Sequence, residues 1–351
     1  MLSQVFYRWE RRLASVDRNR IVRPFEWGAD WIPESGLSAH QDASFLLQDY
    51  VERVMEDTHA FFAVEPARTY GTARLPPDAR PGERMVTFPS AFTTPHPGNN
   101  TVYLRYFPAH PRDANGERPR RRAVVVLPQW NSDAGGHVGL CRLLARVGIS
   151  AARLTLPYHE RRMPPELDRA DYIVSSNVAR TLQVNRQAVL DARRAVAWLH
   201  EQGYESIGLL GTSLGSCLSM LTGAHEPLVK AMALNHVSPW FADVIWEGLS
   251  TAHVRAGMEG HIDLTLLREL WRPISPQCHM NKVLGRPTLL VYALFDLSFP
   301  LHLSRDIVRQ YRARDIPTEV RVLPCGHYTT GIAPFKYLDG YYLVHFLNRS
   351  L

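Results

Sequence analysis

The sequence predicts an α/β fold, a mostly parallel sheet flanked by helices, and two observations carry that expectation. From residue 123 onward, short leucine-rich and β-branched runs alternate with longer stretches of helical spacing, the pattern of parallel strands joined by helical crossovers. Inside that series the apolar run Ser206-Ile207-Gly208-Leu209-Leu210 stops at Gly211, and Leu214, Cys217, Leu218 and Leu221 then recur at helical spacing. Between strand and helix there is room only for a sharp turn.

The elements follow in order. Residues 6–13 have the spacing of a short amphipathic helix, and residues 42–64 that of a longer one, with Phe45, Leu46, Tyr50, Val51, Val54 and Met55. Together with the aromatic stretch around Phe25, Trp27 and Trp31 they form an N-terminal helical extension, residues 1–80, that offers no evident chemistry. Pro76, Pro77 and Pro81 mark a linker. Residues 85–92 and 101–107 read as an antiparallel pair, separated by Pro95, Gly98, Asn99 and Asn100. Strands are then expected at 123–127, 149–156, 206–211, 229–234, 287–294 and 318–323. Helices are expected at 137–147, 177–201, 301–312 and 335–349, with Gly203 stopping the second of these. The α/β core thus takes residues 81–238 and 285–351, and residues 239–284 interrupt it.

Composition narrows the function classes. The chain has 351 residues, a formal charge of +6 and 21% charged residues, and no run of about 18 apolar residues. Its start has neither the apolar core nor the cleavage site of a secretory signal, so a cytoplasmic protein is expected. Cys141, Cys217, Cys278 and Cys325 lack metal-ligand spacing, and neither a metal nor an organic cofactor is implied. Arg118, Arg120, Arg121 and Arg122 form a tight basic cluster, but no aromatic residues interleave it and a core strand follows. It reads as a solvated loop rather than a nucleic-acid site.

Gly211-Thr212-Ser213-Leu214-Gly215 has the form of a nucleophile elbow, in which two glycines remove the Cβ atoms that a strained strand-to-helix turn cannot accommodate. Ser213 would stand above the sheet at a helix N-terminus, where free N–H groups favour developing negative charge. A serine hydroxyl needs an adjacent base, and imidazole titrates near the working pH. His327 lies beyond the last strand in Cys325-Gly326-His327, and Asp296 lies beyond the strand before it in Leu294-Phe295-Asp296-Leu297. Asp243 and Asp191 are the rival acids; Asp191, in mid-helix, is expected to be solvated.

These three elements, in the order nucleophile, acid, histidine, resemble the α/β-hydrolase superfamily from about residue 85 to the end. The loop Pro157-Tyr158-His159-Glu160-Arg161-Arg162-Met163-Pro164 further resembles that of a poorly characterised branch of the superfamily. The resemblance implies a Ser213–His327–Asp296 triad and an oxyanion hole made by the backbone N–H of Leu214 and that of Trp130 or Gln129. Where the superfamily often has His-Gly, this chain has Pro128-Gln129-Trp130, so Gln129 or Asn131 could lend a side-chain donor instead. Residues 239–284 fall where the superfamily inserts a cap, and Trp240, Phe241, Leu267 and Trp271 would give it an apolar underside over an enclosed, largely apolar pocket.

The activity expected is hydrolysis of a carboxylic ester or related acyl bond through an acyl-enzyme. Acyl transfer on the same triad and a non-catalytic binding module of the same fold are the alternatives. The partner is a small-molecule ester or acyl substrate, with no nucleic acid and no membrane span; a homo-oligomer stays open. Arg161, Arg162, Tyr158 and Trp240 are the candidate substrate contacts, and Arg162 is the one expected to favour an anionic substrate.

Overall fold

The computed structural model describes residues 2–16, 19–32, 42–109 and 121–351. Among these residues, nine strands form one sheet: β1 (Gly71–Thr72), β2 (Arg84–Pro89), β3 (Thr101–Phe107), β4 (Arg122–Leu127), β5 (Ile149–Leu154), β6 (Ser206–Thr212), β7 (Val229–Asn235), β8 (Thr288–Ala293) and β9 (Thr318–Leu323). Their spatial order is β1-β2-β3-β5-β4-β6-β7-β8-β9. The first three strands run antiparallel to their neighbours, and all pairs from β5 to β9 are parallel. The expected antiparallel pair and parallel series are therefore both present. Strand β1, inside what reads as extension and linker, has no sequence signal because it is two residues long.

Helices cover both faces. The central strands are buried on each side, so alternate residues of β4 serve two cores: Ala123, Val125 and Leu127 one, Val124 and Val126 the other. The larger core is completed by α5 (Val178–Glu201), α6 (Leu214–His225) and α10 (Leu301–Arg312). On the opposite face lie α4 (Val138–Arg146) and α11 (Phe335–Ser350). Helix α5 begins at Asn177, whose side chain accepts the Arg180 N–H at 2.9 Å and caps the helix.

The N-terminal helices pack on this framework. Phe6 of α1 (Leu2–Ala14) joins the α4–α11 core, stacked on Phe295. Leu47, Tyr50 and Val51 of α2 (Ala43–Glu56) and Phe61 of α3 (Thr58–Phe61) join the larger one. The 239–284 segment folds into the short helices α7 (Phe241–Glu247), α8 (Ala252–Met258) and α9 (Leu264–Leu270). Its apolar side chains, among them Phe241, Leu267 and the fully buried Trp271, enter the same core, and the Trp271 indole donates to the Val178 carbonyl at 3.0 Å.

Of the basic cluster, Arg118 and Arg120 lie outside the described residues. Arg121 donates to the Gln202 carbonyl, and Arg122 to Asn348 and Val147, so both serve the protein's own backbone. Among the described residues no helix is long and apolar enough to cross a membrane.

Candidate active site

The strand order reverses around β4, with β5 on one side and β6 on the other, and in such sheets a crevice opens beyond the carboxyl ends of the two strands. Ser213 follows β6 there. Its backbone lies at φ 56° and ψ −120°, a conformation that L-residues rarely adopt. The glycines make that turn feasible. A Cβ on residue 211 would sit 2.1 Å from the Gly215 carbonyl oxygen, and one on residue 215 would sit 2.0 Å from that of Leu127. The Ser213 N–H donates to the Asn235 carbonyl at 2.8 Å, which fixes the turn against β7. Ser213 occupies the N-cap position of α6 but makes no capping hydrogen bond with its side chain, so the hydroxyl is not committed to the helix.

Asp296 is buried beyond β8. One carboxylate oxygen, Oδ1, accepts the N–H groups of Ser298 and Phe299 at 2.8 and 2.7 Å, which orients the carboxylate. The other, Oδ2, accepts from His327 Nδ1 at 3.0 Å and from His236 Nδ1 at 2.8 Å. Burial alone would raise the Asp296 pKa, but His327 and His236 outweigh it and hold the carboxyl well below its ordinary range. Burial likewise works against a charged His327, yet the adjacent Asp296 carboxylate prevails and raises its pKa above the usual imidazole value. His327 therefore has a fixed tautomer. Its Nδ1–H faces Asp296, which leaves Nε2 as the basic nitrogen.

The His327 loop is anchored from the far end of the chain. Glu10 of α1, fully buried, accepts the Tyr328 and Thr329 N–H groups, both at 2.9 Å, and the Thr329 hydroxyl at 2.8 Å. Gly326 permits the approach, because a Cβ there would lie 2.3 Å from the Glu10 carboxyl carbon. Arg20 adds a hydrogen bond to the Tyr328 hydroxyl at 2.8 Å.

Ser213, His327, His236, Gln129, Trp130 and Arg161 line a single cavity of about 1690 Å³. Leu214 follows Ser213 as the first residue of α6, where a backbone N–H has no partner inside the helix. Trp130, on the cavity wall, is pinned: its indole donates to the Ala170 carbonyl at 2.9 Å and stacks on His253. The Asn131 side chain is engaged too, accepting the Ala170 N–H at 2.8 Å, whereas Gln129 Oε1 is buried with no partner among the described residues.

Three expected substrate contacts lie elsewhere. Arg162 is fully buried and donates to the carbonyls of Asn99 and Thr155 and to Asp191, so its guanidinium holds the loop together instead of facing a substrate. Tyr158 is fully buried, with its hydroxyl 3.0 Å from His96 Nδ1, and neither it nor Trp240 borders the cavity. Asp191 is not solvated but fully buried, bonded to Arg162 and Ser90. Asp243 is taken by Arg268. Arg161 does reach the cavity, while also donating to the Arg74 carbonyl at 2.7 Å. The 239–284 segment contributes only Ser250 to the described lining, which otherwise includes Asn19, Arg20, Pro76 and Pro77 and residues of the loops after β4 and β5, of α4, of the His327 loop and of α11.

Sequence reasoning missed His236, His137 and Asp339. His137 borders the cavity 2.9 Å from the Thr212 hydroxyl, and burial, with Arg153 nearby, lowers its pKa to about 4. Asp339 of α11 accepts from Asn235 Nδ2 at 2.9 Å, and burial pushes its pKa up to about 7 against that bond. The available signal was position alone: His236 directly follows β7, as Ser213 follows β6. Among the described residues, His236, Asp296 and His327 also form the one set of metal-type ligands, with atoms within 4.8 Å of one another. Both imidazoles point their Nδ1–H at the same oxygen, so a metal would have to displace two protons.

No family model matches the chain. It is 30% identical over 190 residues to an uncharacterised protein of Mycobacterium tuberculosis H37Rv, Rv2627c, a match covering 50% of this chain and 44% of that protein. The chain thus spans less than half the length of that relative. Among solved structures it is similar to acetyl xylan esterase 1 from a Thermoanaerobacterium species, with a TM-score of 0.60 at 12% identity over 96% of this chain and 98% of the other. An acetyl xylan esterase from Paenibacillus sp. R4 gives 0.60 at 15% identity over 92% and 98%. The acylaminoacyl peptidase of Pyrococcus horikoshii gives 0.57 at 15% identity, over 72% of this chain but 40% of that one. These likenesses show that the chain has the α/β-hydrolase fold.

Proposed function

We propose that the protein is a serine hydrolase that cleaves a carboxylic ester or related acyl bond through an acyl-enzyme. The observation that carries this reading is the Asp296–His327 hydrogen bond, with His327 lining the same cavity as the strained Ser213. His327 Nε2 takes the Ser213 proton as Oγ attacks the substrate carbonyl, and the Asp296 carboxylate stabilises the imidazolium that forms. The oxyanion of the tetrahedral intermediate is met by the Leu214 N–H and by that of Gln129 or Trp130. His327 then protonates the leaving group, and a water activated by the same imidazole releases the acyl group.

The cavity, at about 1690 Å³, is open enough to admit both an acyl substrate and the water that would release it. The similarity to two acetyl xylan esterases and an acylaminoacyl peptidase agrees with an acyl substrate. Labelling with a fluorophosphonate tests the proposal. The parent protein should be modified at Ser213 and Ser213→Ala should not be; a variant that labels like the parent would move the nucleophile elsewhere.

A further inference from the structure

His236 has features that burial alone does not require. It is 1% exposed, its backbone is held at φ 57°, and its Nδ1 lies 2.8 Å from the oxygen of Asp296 that His327 also uses. The two rings are 4.6 Å apart, and the remaining nitrogen, Nε2, is buried without a partner among the described residues although His236 borders the cavity. A strained backbone and an unsatisfied buried nitrogen are both destabilising, and such features concentrate where a side chain is held for function. We propose that His236 is a positioning residue of the triad, sharing the Oδ2 lone pairs of Asp296 with His327 and so limiting how strongly that carboxylate pulls on the general base.

An oxygen that accepts two N–H groups divides its negative charge between them, and each bond is weaker than it would be alone. Since Asp296 is ionised, His236 must donate its Nδ1–H, and the ring is neutral; burial lowers its pKa more than Asp296 raises it. Without His236, Asp296 would be solvated by one donor fewer and would stabilise the His327 imidazolium more. The other groups that act on the pair stay in place: Glu10 from α1, and Cys325 and Tyr328 from the His327 loop.

This inference rests on the proposed triad, and its test separates the two. Residue 327 is titrated by NMR in the parent, His236→Phe and His236→Asn, and kcat/KM is followed against pH with an activated ester. Asn carries an N–H where Nδ1 stands and should keep the parent's behaviour, while Phe should shift the His327 titration and the acid limb to higher pH. The ratio of kcat/KM at about pH 6 to that at about pH 8 should then fall five- to tenfold, roughly the effect of losing one hydrogen bond to an ionised partner. If His327 titrates alike in all three folded proteins, the inference is overturned, whatever the activity. Fluorophosphonate labelling of the parent decides the triad independently. Should the Phe variant fail to fold, His236→Gln, which keeps a donor but moves it outward, must give a titration between those of the parent and a donor-free site, and a titration like the parent's overturns the inference.

Discussion

Arg162 and Asp191 form an ion pair of 2.8 Å in which neither side chain is exposed to solvent. Arg162 joins the loop after β5 to the middle of α5 and to the Asn99 carbonyl, so its removal would leave an unpaired carboxylate in the core. Arg162→Met should destabilise the protein by about 3–5 kcal/mol in urea unfolding, as buried pairs do when one partner is lost. The ratio of kcat/KM for matched anionic and neutral esters should not change in that variant. Arg161→Met, at the cavity wall, is the variant in which such a ratio can move.

Asp296→Asn should lower kcat by about 10⁴-fold and also destabilise the fold, because the amide has one oxygen and its NH2 end must face either the two imidazoles or the Ser298 and Phe299 N–H groups. Asp243→Asn breaks a pairing with Arg268 away from the cavity and should leave kcat within about threefold. The reverse ranking would place the acid on the earlier strand.

Asp339 makes stability depend on pH. Its pKa is raised to about 7 in the folded protein, so the folded state holds its proton more tightly than the unfolded chain does. Its contribution is most favourable below its unfolded pKa of about 4 and is lost as pH rises towards 7. Asp339→Asn lacks that decline. Compared with the parent in denaturant titrations, it should gain more stability at about pH 8 than at about pH 5. Equal differences at the two pH values would show that the carboxyl ionises normally.

Glu10→Ala should reduce turnover despite its distance in sequence from the triad, because it leaves the Tyr328 and Thr329 N–H groups and the Thr329 hydroxyl without their acceptor. A loss of about 3 kcal/mol in unfolding free energy is expected, together with a fall in kcat larger than that in the KM of the same ester. Unchanged kcat in a folded variant would make the anchor purely structural.

Much of this was legible in the sequence. The glycine-framed Ser213, and the positions of Asp296 and His327 beyond successive strands, follow from local pattern and chain order. What escaped depends on which side chains a fold brings together. Arg162 looked free because periodicity carries no information about Asp191, 29 residues away, and Asp191 looked solvated for the same reason. Trp271 and Phe241 could face a core or a substrate on composition, packing being the commoner fate of such a stripe, and the core claims them. His236 and Asp339 were invisible because one histidine after a strand and one aspartate on a helix are common, and their meaning lies in Asp296 and Asn235.

The contact between Glu10 and Thr329 spans 319 residues, and this separates it in time from the rest of the site. On the ribosome the helix bearing Glu10 emerges well before the loop that completes its hydrogen bonds, which follows every strand of the described sheet. Closing so long a loop is entropically expensive unless the intervening chain is already folded. The anchor beneath His327 therefore forms on a finished sheet. Any pause or truncation that keeps the loop from arriving leaves an otherwise folded molecule with a buried carboxylate waiting for its donors and no ordered base.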